Sequence, residues 1–290
     1  MRGEAVRDWT VGELMVVAAS REIRDGEVVF VGMRLPLLAY CVAKRLHAPR
    51  SVGVFENGVV RDSPTPELLY TMSDTPNIVG AVWCTRMSNV MGLLQRGDVD
   101  VGFIGGAQVD RFGNVNSSYI GDPDRPEVKL PGSGGAADIA SLAKRLVVIL
   151  PHDRRRLVER VDFRTSPGYG DGPGWRQRVG LPRGGPSAVI TDRAVFRFDP
   201  VTCEAVLHHW HPPQSLEEVL EHTGWRVRVA EGACPTPEPS PEELRVLREY
   251  DPEGVWTGRR DDRRERGQNC RRAEQAGPVE PAAEGRTGVR

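Results

Sequence analysis

The residues that first suggest chemistry are one carboxylate and three stretches rich in glycine. Glu56 stands in Phe55-Glu56-Asn57-Gly58, at the end of the short apolar run from Ser51 to Phe55. If that run is a strand, the carboxylate is delivered at its carboxyl end, where open α/β sheets hold their ligands. Asn57-Gly58 makes a tight turn behind it, and Gly58 can adopt φ > 0 and let a substrate approach the backbone. On these residues alone, Glu56 fits a solvated surface turn better than a catalytic group. Gly105-Gly106 closes the apolar run Val101 to Ile104, and the pair again suits close backbone approach, to a ligand or to another loop. Asp110, Asn114 and Asn116 beyond it are turn formers that cap their own backbone. Gly132-Ser133-Gly134-Gly135-Ala136-Ala137-Asp138 runs directly into a helical pattern. Free N–H groups at such a helix start suit a phosphate, a carboxylate or a developing oxyanion; a glycine-rich strand–helix connection is an equal alternative. The stretch is neither a dinucleotide fingerprint nor a P-loop, because the required third glycine and the Gly-Lys-Ser/Thr are missing. A further loop, Ser166 to Gly174, reads as a substrate cover or a linker.

Other candidates carry less. His208, His209 and His211 cluster, but His208 and His209 alternate across a strand pattern, so packing and surface roles are expected and no metal site is assigned. Arg154-Arg155-Arg156 reads as a solvated helix start. No G-x-S-x-G occurs, which removes the α/β-hydrolase nucleophile elbow. The five cysteines are dispersed without a CxxC pair, so they read as reduced thiols of a cytoplasmic protein.

Around these stretches, the periodicity predicts helices over 11–24, 35–47, 88–96 and 136–145, and strands over 28–31, 51–55, 79–84, 101–104 and 146–150. Short apolar strands alternating with helices indicate an α/β fold with an open, mainly parallel sheet flanked by helices. Beyond Pro151 a hairpin over 188–198, a strand over 205–210 and another over 226–229 extend the same sheet. Helices begin at Ser215, with Glu217 and Glu218 in the first turn, and at Ser240-Pro241, running to Tyr250. Residues 1–257 are therefore read as one domain.

From 258 to 290 there are nine arginines against six acids and no aromatic residue, a composition that predicts a disordered tail. Across 290 residues the formal charge is −1, so no overall field attracts nucleic acid or anionic membrane. No apolar run approaches the roughly 20 residues that span a bilayer, and the N-terminal stretch lacks a signal-peptide core.

Taken in order, RLPLLAYCVAKRLHAP, FENG, FIGGAQVDRFGNVNSSYIGD, LPGSGGAADIA, TSPGYGDGPGWRQRVGLP, AVITDRAVFRFD and LEEVLEHTGW resemble the family I CoA-transferases, most closely the small (beta) subunits of the glutaconate CoA-transferases. The resemblance covers about Thr10 to Trp256. It implies the CoA-transferase/NagB-RpiA-like fold and places the nucleophilic glutamate of an E-x-G motif on Glu56. It further implies that Gly134, Gly135 or Ala136 supplies an oxyanion or CoA-binding donor, with Asn57, Gly58, Gly105 and Gly106 in the substrate loops. The implied chemistry is ping-pong transfer of CoA between an acyl-CoA and a small carboxylic acid, of glutaconate or 3-oxoacid type, through a glutamyl-CoA thioester. CoA thioester would be a substrate, with no permanently bound cofactor. The implied partner is a large subunit in a heterotetramer or larger assembly. Asn57 stands where the glutaconate enzymes carry serine, while E-N-G occurs in the 3-oxoacid enzymes, so the acid exchanged stays open. Relatives on this fold also include an acyl-CoA hydrolase and a decarboxylase, and a non-catalytic assembly subunit is a third reading.

Overall fold

Thr10 starts the first helix because its hydroxyl accepts the Glu13 N–H while the Glu13 carboxylate accepts the Thr10 N–H, a reciprocal cap. From there the computed structural model, which describes residues 8–181 and 183–258, alternates as the periodicity predicts. The first half contains α1 (Val11–Ser20), β1 (Val28–Phe30), α2 (Leu35–Leu46), β2 (Val52–Val54), β3 (Val59–Arg61), α3 (Thr75–Ile78), β4 (Trp83–Cys84), α4 (Met87–Arg96) and β5 (Val101–Ile104). Then come β6 (Gln108–Asp110), β7 (Val115–Asn116), β8 (Tyr119–Ile120), β9 (Val128–Lys129), α5 (Ala136–Leu142), β10 (Arg145–Ile149) and β11 (Leu157–Val158). The chain continues with α6 (Trp175–Arg178), β12 (Pro186–Ile190), β13 (Ala194–Phe198), β14 (Ala205–Trp210), α7 (Leu216–Glu221), β15 (Arg228–Pro235) and α8 (Pro241–Tyr250).

Ten strands form one sheet in the order β15-β14-β13-β12-β10-β5-β1-β2-β3-β4. The five central strands, β12, β10, β5, β1 and β2, are parallel. Antiparallel pairs extend both ends. This is the open, mainly parallel sheet expected, and the second half does extend it. One face buries α1, α2 and α8 with Phe55, Val101 and Phe103; the other buries α5 and α4 with Val54, Phe30 and Ile104.

Several boundaries differ from expectation for local reasons. The strand expected over 79–84 shrinks to β4, and β3 is an addition to the expected set. The Asn57-Gly58 turn sends the chain back antiparallel to β2, and β3 ends in Arg61, whose charge hides a strand that is buried throughout. Arg61 is fully buried and donates to the carbonyls of Ser63, Pro64, Asn77 and Val79, which folds the following segment around its guanidinium. The first helix stops at Ser20, where the bonds tighten to Glu22 N–H→Ala19 O and Ile23 N–H→Ser20 O. Arg145 leaves the α5 helix and enters β10, its N–H donating to Asp100 O. Arg154–Arg156 forms a turn capped by the Asp153 carboxylate instead of a helix start. The expected tail lies outside the described residues apart from Gly258.

Candidate active site

Side-chain alternation decides where Glu56 points. Val54 packs into the core on the α4/α5 face and Phe55 into the core on the α1/α2 face, so Glu56 returns to the α4/α5 side. Burial of Phe55, none of whose surface is exposed, contributes about 2 kcal/mol and anchors the backbone beside the carboxylate. On that side α5 lies close over β5 because Gly102 has no side chain: a Cβ there would sit 2.2 Å from Ile139 Cγ2. As a crossover helix, α5 starts at the carboxyl edge of the sheet, and its N-cap is Gly135. The Gly135 N–H donates to Glu56 Oε1 at 3.2 Å. The absence of a side chain matters there, since a Cβ would come within 3.1–3.2 Å of all three carboxyl atoms of Glu56 and oblige the carboxylate to shift. The Ala136 N–H is engaged by Ser133 O at 2.9 Å, and Gly134, at φ +48, lies one step further from the carboxylate. Of the three expected donors, Gly135 is the one that touches Glu56.

The turn behind Glu56 is held from within the chain. Asn57 Nδ2 donates to Met72 O at 2.6 Å, and the Gly58 carbonyl accepts the Thr85 N–H at 2.9 Å. Gly58 has φ +102, and a Cβ there would stand 2.0 Å from Thr85 O. Both residues therefore shape the turn. Glu56 itself is half-buried, with part of its surface exposed.

Residues 13–222 match the family described as Coenzyme A transferase. The chain belongs to the coenzyme A transferase family. It is 39% identical to the beta subunit of the 3-oxoadipate CoA-transferase of Pseudomonas knackmussii over 83% of this chain and 92% of that one. It is 36% identical to the beta subunit of the glutaconate CoA-transferase of Acidaminococcus fermentans, with the same shares covered. The crystal structure of that glutaconate enzyme matches with a TM-score of 0.81 and 34% identity, covering 86% of this chain and 98% of the other. The decarboxylase AibA/AibB matches with a TM-score of 0.74 and 30% identity over the same shares.

In this CoA-transferase chain the remaining expected site residues divide. Gly105 is exposed and lines a cavity of about 750 Å³ at the carboxyl ends of β1, β5, β10 and β12. Met33, Arg34, Arg193 and Trp256 also line it, with the Arg34 guanidinium 5.0 Å from the Trp256 ring centre. Neither Glu56 nor the Gly134–Ala136 loop lines that cavity. Gly106 is used for packing: a Cβ there would lie 2.3 Å from Val115 Cγ1 in the small sheet of β11, β6 and β7. The glycine loop from Ser166 to Gly174 is held in place through Gly168 and Gly170. Asn114 Oδ1 accepts the Gly168 and Gly170 N–H groups, and Gly168 presses on the backbone of Gly113. Asp110 holds Asn114 in turn, accepting from its Nδ2 and its N–H.

Arg176 is the positioning residue that the sequence does not reveal. It is buried, and its guanidinium donates to Ala140 O and Ser141 O in the last turn of α5, and to Gly168 O in the glycine loop. It thereby ties the helix that carries Gly135 to the packed loop. A buried arginine bound only through carbonyls has no short-range sequence signal.

Among the described residues no group of three or more His, Cys, Asp or Glu could hold a metal, and the four described cysteines are free. His211 is buried against Thr236 Oγ1, whereas His208 and His209 are half-buried on β14. Burial lowers His211 to about 4, and lowers His152, held between Thr191 Oγ1 and Thr223 Oγ1, to about 3. Both folded-state values lie below the unfolded value near 6.5. Below pH 6.5 the unfolded chain binds protons that the folded chain refuses, so stability is retained above that pH and falls towards pH 4. Each histidine contributes a slope of at most about 1.4 kcal/mol per pH unit. Melting temperature followed from pH 7 to 4 should show the decline, and His152→Gln should flatten it; an unchanged slope in that variant would refute the assignment.

Proposed function

We propose that this chain is the catalytic small subunit of a heteromeric CoA-transferase, with Glu56 as the nucleophile. The contact of the Gly135 N–H with Glu56 Oε1 carries the reading. In the proposed cycle a Glu56 oxygen attacks the thioester carbonyl carbon of an acyl-CoA and expels CoA thiolate, leaving an acyl-glutamyl anhydride. The thiolate then attacks the Glu56 carboxyl carbon, the donor acid departs as carboxylate, and a glutamyl-CoA thioester remains. The incoming acid repeats both steps in reverse and leaves as its CoA ester, regenerating the Glu56 carboxylate. Covalent catalysis of this kind divides one acyl transfer into steps with activated intermediates. CoA thioester is a substrate here, and no resident cofactor is needed.

The position of the amide assigns it a specific part. Gly135 faces an oxygen of Glu56, so it would stabilise the charge that grows on that oxygen when thiolate or carboxylate attacks the glutamyl carbon. One such donor is worth on the order of 3 kcal/mol. The oxyanion on the substrate's own carbonyl needs another donor, which we assign to a large subunit closing over the exposed surface of Glu56. The same closure would shield the anhydride from water. The two relatives, each named as one subunit of a CoA-transferase, support this division of labour. Their names also favour 3-oxoadipate, glutaconate or a similar acid as the substrate class.

The test is to incubate the two-subunit complex with glutaryl-CoA or succinyl-CoA and reduce it with borohydride. Glu56 should be recovered as the corresponding alcohol in its tryptic peptide. Thiol release without an adduct, persisting in Glu56→Ala, would instead mark a hydrolase. Loss of carbon dioxide from the acyl group would mark a decarboxylase, the activity named for one structural neighbour.

A further inference from the structure

The ten-stranded sheet ends on β4. Soluble chains ordinarily blunt an edge strand with charge, proline or a covering segment. Residues 78–85, Ile-Val-Gly-Ala-Val-Trp-Cys-Thr, contain neither a charged residue nor a proline, and both residues of β4 are exposed. Ten large hydrophobic side chains are exposed among the described residues, and half of them fall within Ile78 to Met87: Ile78, Val79, Val82, Trp83 and Met87. Such concentration on one edge marks an interaction surface, whereas scattered exposed valines such as Val128 or Val201 do not. Trp83 supplies the kind of aromatic anchor on which interface energy concentrates.

This surface is joined to the reacting carboxylate. Thr85, directly after β4, donates its N–H to the Gly58 carbonyl, two residues from Glu56. Thr85 Oγ1 accepts from Asn89 in α4, so hydrogen bonds through Thr85 link the edge, the turn that carries Glu56 and the start of α4. We propose that the surface from Ile78 to Met87 is where the large subunit docks, an inference that rests on the two-subunit reading above. The occupant follows from what the site lacks. This chain matches 92% of each of the two single-subunit relatives, so it corresponds to that subunit. A partner seated on β4 reaches the exposed surface of Glu56 and can bring the second donor. A second copy of this chain would bring another uncharged edge and another nucleophile.

The experiment uses this chain and the large subunit from the same genome, purified separately and titrated by calorimetry. Val82→Asp and Met87→Asp introduce charge where more than half of each residue is already in water. Asp at the first position of α4 also suits the helix dipole, so the isolated variants should melt as wild type does. Each is expected to weaken association at least tenfold, with Val201→Asp unchanged, and amide exchange over 78–87 should slow in the complex. Unchanged affinity in both variants, or protection elsewhere, overturns the proposal. So does self-association of the isolated chain that these variants abolish while the heteromer survives, and so does failure of the two wild-type chains to associate. Glu56→Gln separates the two readings: it should bind the large subunit normally. A complex that forms through this edge but transfers no CoA would defeat the catalytic assignment and leave the docking surface standing.

Discussion

Glu56→Gln is expected to lower CoA transfer by about 10⁴-fold or more while leaving the protein folded. The amide occupies the same volume, and its oxygen can still accept the Gly135 N–H that Glu56 Oε1 accepts at 3.2 Å. What it loses is nucleophilicity, because an amide oxygen cannot form the anhydride on which every later step depends. The melting temperature should therefore stay within a few degrees of wild type, and the borohydride adduct should vanish. Glu56→Asp probes geometry instead of chemistry. The carboxylate survives but withdraws by one methylene from both the Gly135 amide and the substrate, and a displacement of that order costs about 100-fold. Transfer assays on the two-subunit complex decide both cases. If Glu56→Gln kept a tenth of wild-type activity, or Glu56→Asp were near normal, the nucleophile would have to be sought elsewhere.

The sequence reaches some of this site and not the rest, and the division follows the range of the interactions. Local signals are readable. The Ser215/Glu218 and Ser240/Glu243 capping boxes, the proline at the start of α8 and the strand from Ala205 to Trp210 are all encoded within a few residues. The parallel order of the central strands follows from the alternation of short apolar runs with helices. Glu56 cannot be told from a surface turn by its four-residue setting, and it takes the resemblance along the chain to single it out. The glycine loop is visible as a helix start, but which amide faces Glu56 depends on two facts with no local trace. Ala136 is occupied by Ser133, and the alternation of Val54 and Phe55 turns Glu56 towards α5. Asn57 and Gly58 read as substrate contacts because their partners, Met72 and Thr85, lie beyond an intervening loop. Arg61 and Arg176 carry no local signal for the same reason: each is buried among carbonyls that include ones from distant segments.

Gly135→Ala should separate stability from activity in a way that few substitutions in this chain can. The residue has φ −75 and ψ −3, an ordinary right-handed conformation that alanine adopts freely. Freedom removed from the unfolded chain favours the substitution by about 0.4–1 kcal/mol, and the preference of an N-cap for glycine over alanine opposes it by a comparable amount, so stability should stay close to wild type. The obstacle is entirely at the site. The new methyl would lie 3.1 Å from Glu56 Cδ and 3.2 Å from each carboxyl oxygen, a contact tight enough that the carboxylate must shift by a few tenths of an ångström. The amide donor remains, but its aim at the glutamyl oxygen is spoiled, and so is the approach of thiolate to that carbon. A loss of about 10- to 100-fold in kcat is expected from misalignment of this size, with the KM for acyl-CoA moving less, because the damage falls on the covalent steps. Gly135→Val should deepen the loss of activity and, being a poorer N-cap, also lower the melting temperature. Gly134→Ala is the contrasting control: its φ of +48 makes any side chain strained, yet its Cβ would clear Glu56 Oε1 by 3.8 Å, so its cost should appear first in melting temperature. Stopped-flow transfer assays beside thermal melts of the four proteins would read the difference. If Gly135→Ala transferred CoA at the wild-type rate, the amide at the head of α5 would be a packing contact and not part of the oxyanion machinery.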